Sequence, residues 1–134
     1  MSITLPRTQK PTKLNDAEVG EVADFVIKYG NGLYHPTHKP RIEAFIRQHV
    51  EYGTLMVVQK EGSIIGVCRW NFTDIDTICV MDLIIHPDYR KKWLMKSMLI
   101  NGVLAFPWLK SMTFHRKKHN RDTKCLIKKF IGGK

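Results

Sequence analysis

Asp82 is an acidic side chain inside an otherwise apolar run from Thr77 to Ile85. A carboxyl group in such a strand is costly to bury without a purpose or a partner. It is therefore a candidate proton acceptor, with a structural ion pair to Arg69 as the alternative. The run stops abruptly at His86-Pro87-Asp88, a basic triplet Arg90-Lys91-Lys92 follows, and a helical pattern opens at Trp93. A strand that feeds a helix N-terminus in this way presents unpaired amides and the positive end of the helix dipole, which favour an anion such as phosphate. Elsewhere, Tyr34, His35 and His38 share one short segment, and His115 stands among strand-forming residues. Histidine titrates near neutral pH and so suits proton transfer, although a lone strand histidine also serves structure. His35 and His38 are three residues apart, but Pro36 breaks any helical pairing and no carboxylate accompanies them, so no metal site is expected.

The elements that must position these groups follow from periodicity. Asn15 or Asp16 caps a helix whose apolar positions are Val19, Val22, Phe25 and Val26, and Gly30 stops it. A loop from Asn31 to His38 leads to a second helix from Lys39 or Pro40 to Tyr52, with Ile42, Phe45, Ile46 and Val50 on its buried face and Gly53 as its stop. Strands over Thr54 to Gln59 and Ser63 to Asn71 are joined by Lys60-Glu61-Gly62, a hairpin turn. A turn over Thr73 to Asp76 leads to the strand Thr77 to Ile85, whose apolar character predicts burial on both faces. A helix from about Arg90 to Phe106 buries Leu94, Met98 and Val103 and ends at Pro107. Lys110 to Arg116 then returns as a strand beside the first strand of this strand-helix-strand unit, by a right-handed crossover. Ser2 to Leu5 suits a short edge strand before an irregular lead-in to residue 14. Residues 120–131 fit either a helix capped by Asn120 or a strand closing a hairpin with Lys110 to Arg116, with the strand favoured by its tight cluster of β-formers.

The 134 residues, 43% hydrophobic and 25% charged, predict one globular domain spanning the chain. No stretch reaches the roughly 18 uninterrupted apolar residues of a membrane span, and residues 1–13 lack a signal-peptide core, so a cytoplasmic protein is expected. Three cysteines without a C-x-x-C pair argue for reduced structural thiols. The net charge of +10 is unevenly placed: residues 1–89 hold nine Lys/Arg against eleven Asp/Glu, and residues 90–134 hold thirteen against one. That asymmetry suits an anionic partner.

The stretch Thr77 to Leu99 resembles the acetyl-coenzyme A segment of the GNAT superfamily of N-acyltransferases, an apolar strand, x-Pro-x-Tyr-Arg, then Arg/Gln-x-x-Gly-x-Gly/Ala opening a helix. Arg90 fits that pattern, while Trp93 and Met95 stand where the family has its glycines. The order of elements from Asn15 to Arg116 is also the family's. The resemblance implies an α/β (α+β) fold, a mixed and mainly antiparallel sheet flanked by helices with a strand-helix-strand cofactor unit. It further implies an N-acetyltransferase that uses acetyl-CoA as co-substrate and an amine of unidentified structure as acceptor. In the family, backbone groups of the splayed strand bind the pantetheine arm, here those of Leu83, Ile84 and Ile85. The pyrophosphate then lies over the helix start formed here by Arg90, Lys91, Lys92, Trp93, Leu94 and Met95, with Lys96 and Ser97 in its first turn. Glycine lets phosphate oxygens reach bare backbone, so Trp93 and Met95 must point away for the amides to serve.

Acyl transfer to an amine needs a neutral amine, a polarised carbonyl and a protonated leaving thiolate. The resemblance implies Asp82 as proton acceptor and a strand amide such as that of Ile85 as the polarising group. The family's last-helix tyrosine corresponds to Ile127, so His115, on the strand flanking the cleft, is the alternative acid or base. Acceptor recognition falls to Tyr34 and His35 of the loop between the first two helices and to Trp70 near the hairpin end, with a cover over the core as the alternative reading of Trp70. Short basic chains of this kind also resemble phage and mobile-element proteins, which makes a viral source an expectation. A competing class is an inactive GNAT-like module that binds nucleic acid or an acidic protein through Arg116, Lys117, Lys118, Arg121, Lys124, Lys128 and Lys129, with Phe114 and His119 interleaved. The family domain usually continues two strands beyond its last helix, so completion by a partner's strand in a homodimer is a further expectation.

Overall fold

A computed structural model of the chain describes residues 13–32, 34–90, 94–104, 106, 108–116 and 121–126. The predicted strand at Ser2 to Leu5 lies outside them. Helix α1 (Asp16–Tyr29) is opened by a reciprocal cap in which the Asn15 side chain accepts from the Glu18 amide at 2.8 Å and Glu18 accepts from the Asn15 amide at 3.0 Å. Helix α2 (Lys39–Tyr52) closes at Gly53, whose φ of 71° is a left-handed conformation that glycine adopts without strain. Strands β1 (Leu55–Lys60) and β2 (Ser63–Asp74) meet at Glu61-Gly62, both at positive φ, the backbone a two-residue hairpin requires. Strand β3 (Thr77–Ile85), helix α3 (Leu94–Leu104), β4 (Ser111–Arg116) and β5 (Arg121–Leu126) complete the order.

The sheet runs β1-β2-β3-β4-β5, antiparallel throughout except for the parallel pair β3/β4. This is the mixed, mainly antiparallel sheet flanked by helices that the sequence predicts. Residues Arg121–Leu126 form a strand paired with β4, so the helical alternative for that part of the segment is excluded; residues 127–131 lie outside the described part. Helices α1 and α2 cover one face, where Val19, Val22, Phe25, Val26, Ile42 and Ile46 pack on Leu55, Val67 and Ile84. Helix α3 covers the other through Leu94, Met98 and Leu99, against Val58, Cys68, Trp70, Val80 and Met112.

Two irregularities in β3 shape everything near Asp82. The register passes from Arg69 opposite Asp82 to Trp70 opposite Val80, so Met81 has no opposite number. An extra residue reverses the in/out alternation of a strand. Val80 therefore packs under α3, while Asp82, two residues on, faces α1 and α2. The second irregularity is a splay: β3 pairs with β4 only from Thr77 to Val80. Met81–Ile85 consequently has no strand partner on that side among the described residues.

Phe45 corrects the sequence reading. It was expected on the buried face of the second helix, yet it is 53% exposed. Ile42 and Ile46 carry the apolar contact, and His49, three residues beyond Ile46, takes the buried position in the next turn. For Trp70 the structure selects the core reading over the cleft reading. Its neighbour Arg69 faces α1 and α2, so strand alternation turns Trp70 to the opposite face, where it is core beneath α3 and lies edge-on to Phe106.

Gly66 sits where β2 passes under α3: a Cβ placed there would lie 2.8 Å from the Met98 sulfur, itself fully buried. Gly66→Val is expected to lower stability by about 1–3 kcal/mol through overpacking. Urea unfolding of the variant against the parent checks this.

Candidate functional site

The outer end of β3 separates two clefts. The first, of about 370 Å³, is lined by Tyr29, Gly30, Asn31, Leu83, Ile84, Ile85, Arg90 and Met95. It thus gathers five of the predicted cofactor residues at the unpaired edge of the splay. Arg90 is held there as a brace, its Nε donating to the Ile85 carbonyl at 2.9 Å and Nη2 to the Tyr29 carbonyl at 3.3 Å. The strand end is thereby tied to the end of α1. Leu94 points its side chain wholly into the core, whereas Met95 is half exposed at the cleft, Lys96 is exposed and Ser97 half-buried. Of the residues predicted for the cradle, Lys91, Lys92 and Trp93 lie outside the described residues.

The second cleft, of about 200 Å³, lies between α1, α2 and the sheet, lined by Val26, Tyr34, Ile42, Phe45, Ile46, Leu55, Val67, Arg69 and Asp82. Its polar floor is a chain of hydrogen bonds. Arg69 Nε donates to Asp82 Oδ2 at 2.7 Å, with the two side chains 18% and 6% exposed. The Tyr34 hydroxyl donates to the same oxygen. Arg69 Nη1 reaches His49 Nε2 at 3.2 Å, and His49 Nδ1 reaches Thr54 Oγ1 at 2.5 Å. Arginine only donates, so Nε2 must accept, which places the imidazole proton on Nδ1, donating to Thr54. Asp82 takes both hydrogen bonds on Oδ2, and its Oδ1 accepts none among the described residues.

Charge states follow from this packing. Burial, then the hydrogen bond to Asp82, pushes the Tyr34 hydroxyl up to about 12, so it stays protonated. Burial, then the Arg69 charge, holds His49 below its ordinary range. Burial alone would ease the proton off Arg69, but the Asp82 charge and hydrogen bond outweigh it and raise the guanidinium further. Cys68, free and buried behind this floor, is pushed up to about 12 by burial and is no nucleophile at neutral pH.

The structure brings Asp82 and Tyr34 into one contact. The Arg69 ion pair, the alternative reading of Asp82, is present, and it sits at the cleft surface. His35 is exposed and folds back locally, its Nδ1 2.7 Å from Thr37 Oγ1. Trp70 lines neither cleft. His115 is the first β4 residue past the last β3/β4 pair, opposite Asp122, and nothing further of it is described. His49, Thr54 and Phe45 are cleft or network residues that sequence reasoning did not assign to the site. His49 was detectable, because it lies at i+7 from Ile42 and i+3 from Ile46, an ionisable residue on an apolar stripe.

No protein-family model and no curated protein matches the sequence. Solved structures do match by shape. One is diaminobutyrate acetyltransferase from Paenibacillus lautus, in complex with L-2,4-diaminobutyric acid and coenzyme A, at a TM-score of 0.64 and 14% identity over 91% of this chain and 71% of that one. Another is a GNAT-family acetyltransferase from Bacillus cereus, TM-score 0.58, 14% identity, covering 91% and 78%. A third is a putative acetyltransferase from Salmonella typhimurium with acetyl-CoA, TM-score 0.60, 13% identity, covering 90% and 73%. At such identities the likeness is one of fold.

Two outcomes are expected of the Asp82 network. Because the folded pKa of His49 is depressed, its contribution is fully present above the unfolded value of 6.5 and is lost as pH falls from there through the folded value. Thermal stability should therefore drop as pH goes from about 7.5 to about 5.5, and His49→Gln, whose amide oxygen can still accept from Arg69, should flatten that drop. Second, Arg69→Met strands Asp82 and is expected to cost about 3 kcal/mol, whereas Arg69→Met with Asp82→Leu should recover most of the loss. Chemical denaturation of the single and double variants measures both.

Proposed function

We propose that this chain, whose fold is that of the GNAT acetyltransferases, is an N-acyltransferase moving an acetyl group from acetyl-CoA directly to a primary amine. The observation that carries the reading is the double use of Met81–Ile85. Its unpaired edge borders one cleft, and the bulge at Met81 turns Asp82 into the other, so a thioester on the first side would meet an amine on the second.

The first cleft fits an extended, amide-bearing arm, because the β3 edge at Leu83, Ile84 and Ile85 offers backbone groups that no strand uses among the described residues. The stretch from Arg90 through Ser97, which runs into α3, supplies the phosphate-binding amides in this reading, with Lys91, Lys92 and Lys96 adding charge. Acetyl-CoA supplies the activated acetyl thioester. Asp82 accepts the amine proton through Oδ1, while Arg69 and Tyr34 hold Oδ2 and fix the carboxylate plane. A free strand amide from Leu83 to Ile85 polarises the carbonyl. His115, the β4 residue after the last β3/β4 pair, is assigned in this reading as the acid that returns a proton to the thiolate.

Calorimetric titration with acetyl-CoA tests the first cleft. Tight binding, weakened at least about tenfold in the Arg90→Ala, Lys92→Ala double variant, is expected. Asp82→Asn should keep that binding while lowering kcat by about 10²–10⁴-fold, as loss of a general base does. Absence of binding at millimolar acetyl-CoA would overturn the proposal.

A further inference from the structure

The second cleft carries more than a proton acceptor. Its walls come from four elements and are aliphatic or aromatic, and among the described residues its only acidic lining residue is Asp82. An apolar cavity of about 150 Å³ holds benzene, so about 200 Å³ admits a ring or short chain of roughly six to ten carbons. We infer that the acceptor is a small primary amine with an apolar, uncharged body, an aryl-alkyl or alkyl amine, seated with its nitrogen on Asp82 Oδ1 and its body against Phe45, Ile46, Leu55 and Val67. This deepens the acyltransferase reading and rests on it.

Four features select this class. Both hydrogen bonds to Asp82 end on Oδ2, which leaves Oδ1 for an ammonium or amine group. Each Arg69 nitrogen already has a partner, Nε on Asp82, Nη1 on His49 and Nη2 on Tyr34 at 3.5 Å. A carboxylate on the acceptor, as in an amino acid, would be left with the second N–H of Nη1 or Nη2, beside an Asp82 charge that repels it. A polyamine would set its second cation against apolar wall with no second carboxylate in the lining, at a desolvation cost that a neutral body avoids. Phe45 is the rim: it is 53% exposed, and the Arg69 guanidinium lies 5.9 Å from its ring centre. An exposed aromatic ring stacked at the mouth of an apolar cleft offers a face to a second ring.

The transfer itself balances within these groups. The neutral amine gives one proton to Asp82 as its nitrogen forms a C–N bond to the acetyl carbon, the C–S bond breaks, the departing thiolate takes a proton from His115, and the proton on Asp82 returns to His115 through solvent. The products are one N-substituted acetamide and one free thiol.

The full-length protein is titrated with 2-phenylethylamine, hexylamine, spermidine, phenylalanine and a lysine-containing peptide, first without acetyl-CoA and then in a thiol-release assay. Saturable binding of 2-phenylethylamine and hexylamine, and turnover about tenfold or more above that of the other three, are expected. Phe45→Ser, at an exposed position that should leave the fold intact, raises KM for 2-phenylethylamine and leaves acetyl-CoA affinity unchanged. Preference for spermidine, phenylalanine or the peptide, or indifference to Phe45→Ser, overturns the inference. Acetyl-CoA binding without binding of either apolar amine sinks this inference alone. Binding of the amines with no acetyl-CoA binding sinks the acyltransferase reading and leaves the amine selectivity of the cleft standing.

Discussion

Asp82 takes a negative charge onto a sheet face that is otherwise aliphatic apart from Arg69, and its side chain is 6% exposed. An unpaired carboxylate at that depth would cost several kcal/mol, so the surroundings are arranged to satisfy it. Arg69 comes from the neighbouring strand, Tyr34 from the loop between α1 and α2, and His49 with Thr54 anchors Arg69 from behind. Five residues from the loop, α2, β2, β3 and the position just before β1 are thereby bound into one hydrogen-bonded unit. Satisfying one charge sets where the loop lies, which tautomer His49 adopts and which oxygen of Asp82 stays open.

The same requirement explains the bulge at Met81. A regular β3 would point Val80 and Asp82 to one face, and one of them would then be misplaced. With the extra residue, Val80 keeps its place in the core under α3 and Asp82 reaches the opposite face. The separation of β3 from β4 begins at the same point, after the Val80–Phe114 pair. Bulged strands twist more strongly and pair less regularly, so both features share one local cause. Two clefts on the two sides of one short segment are the result.

Much of this architecture was legible in the sequence because it rests on local chemistry. Asn15 with Glu18, the glycine after Tyr52 and the Glu61-Gly62 turn each set a boundary through backbone geometry, and those boundaries match. The depth of β3 was legible in its apolar run, and the Arg69–Asp82 pair was one of two open readings of the same residue. Phe45 is exposed against expectation, and Trp70 had two open readings, for a common reason. Hydrophobicity predicts that a side chain seeks cover, but only the register and the neighbouring helix decide which side offers it. His49 was overlooked because a polar residue on an apolar stripe has no evident partner until the strand carrying Arg69 is laid beside it.

By itself the sequence determined the elements, their order and the two chemical ingredients, a carboxylate in a buried strand and a basic helix start. Periodicity, caps and turns act over a few residues, and the chain carries them wherever it goes. Tertiary structure alone decided the parity change at Met81, the splay beyond Val80, and the meeting of Tyr34, His49, Arg69 and Asp82. Those depend on contacts between residues up to 48 positions apart, as in Tyr34 to Asp82, and on how two helices and a sheet share one buried charge. No local pattern encodes such a meeting, because its energy exists only once the parts are packed together.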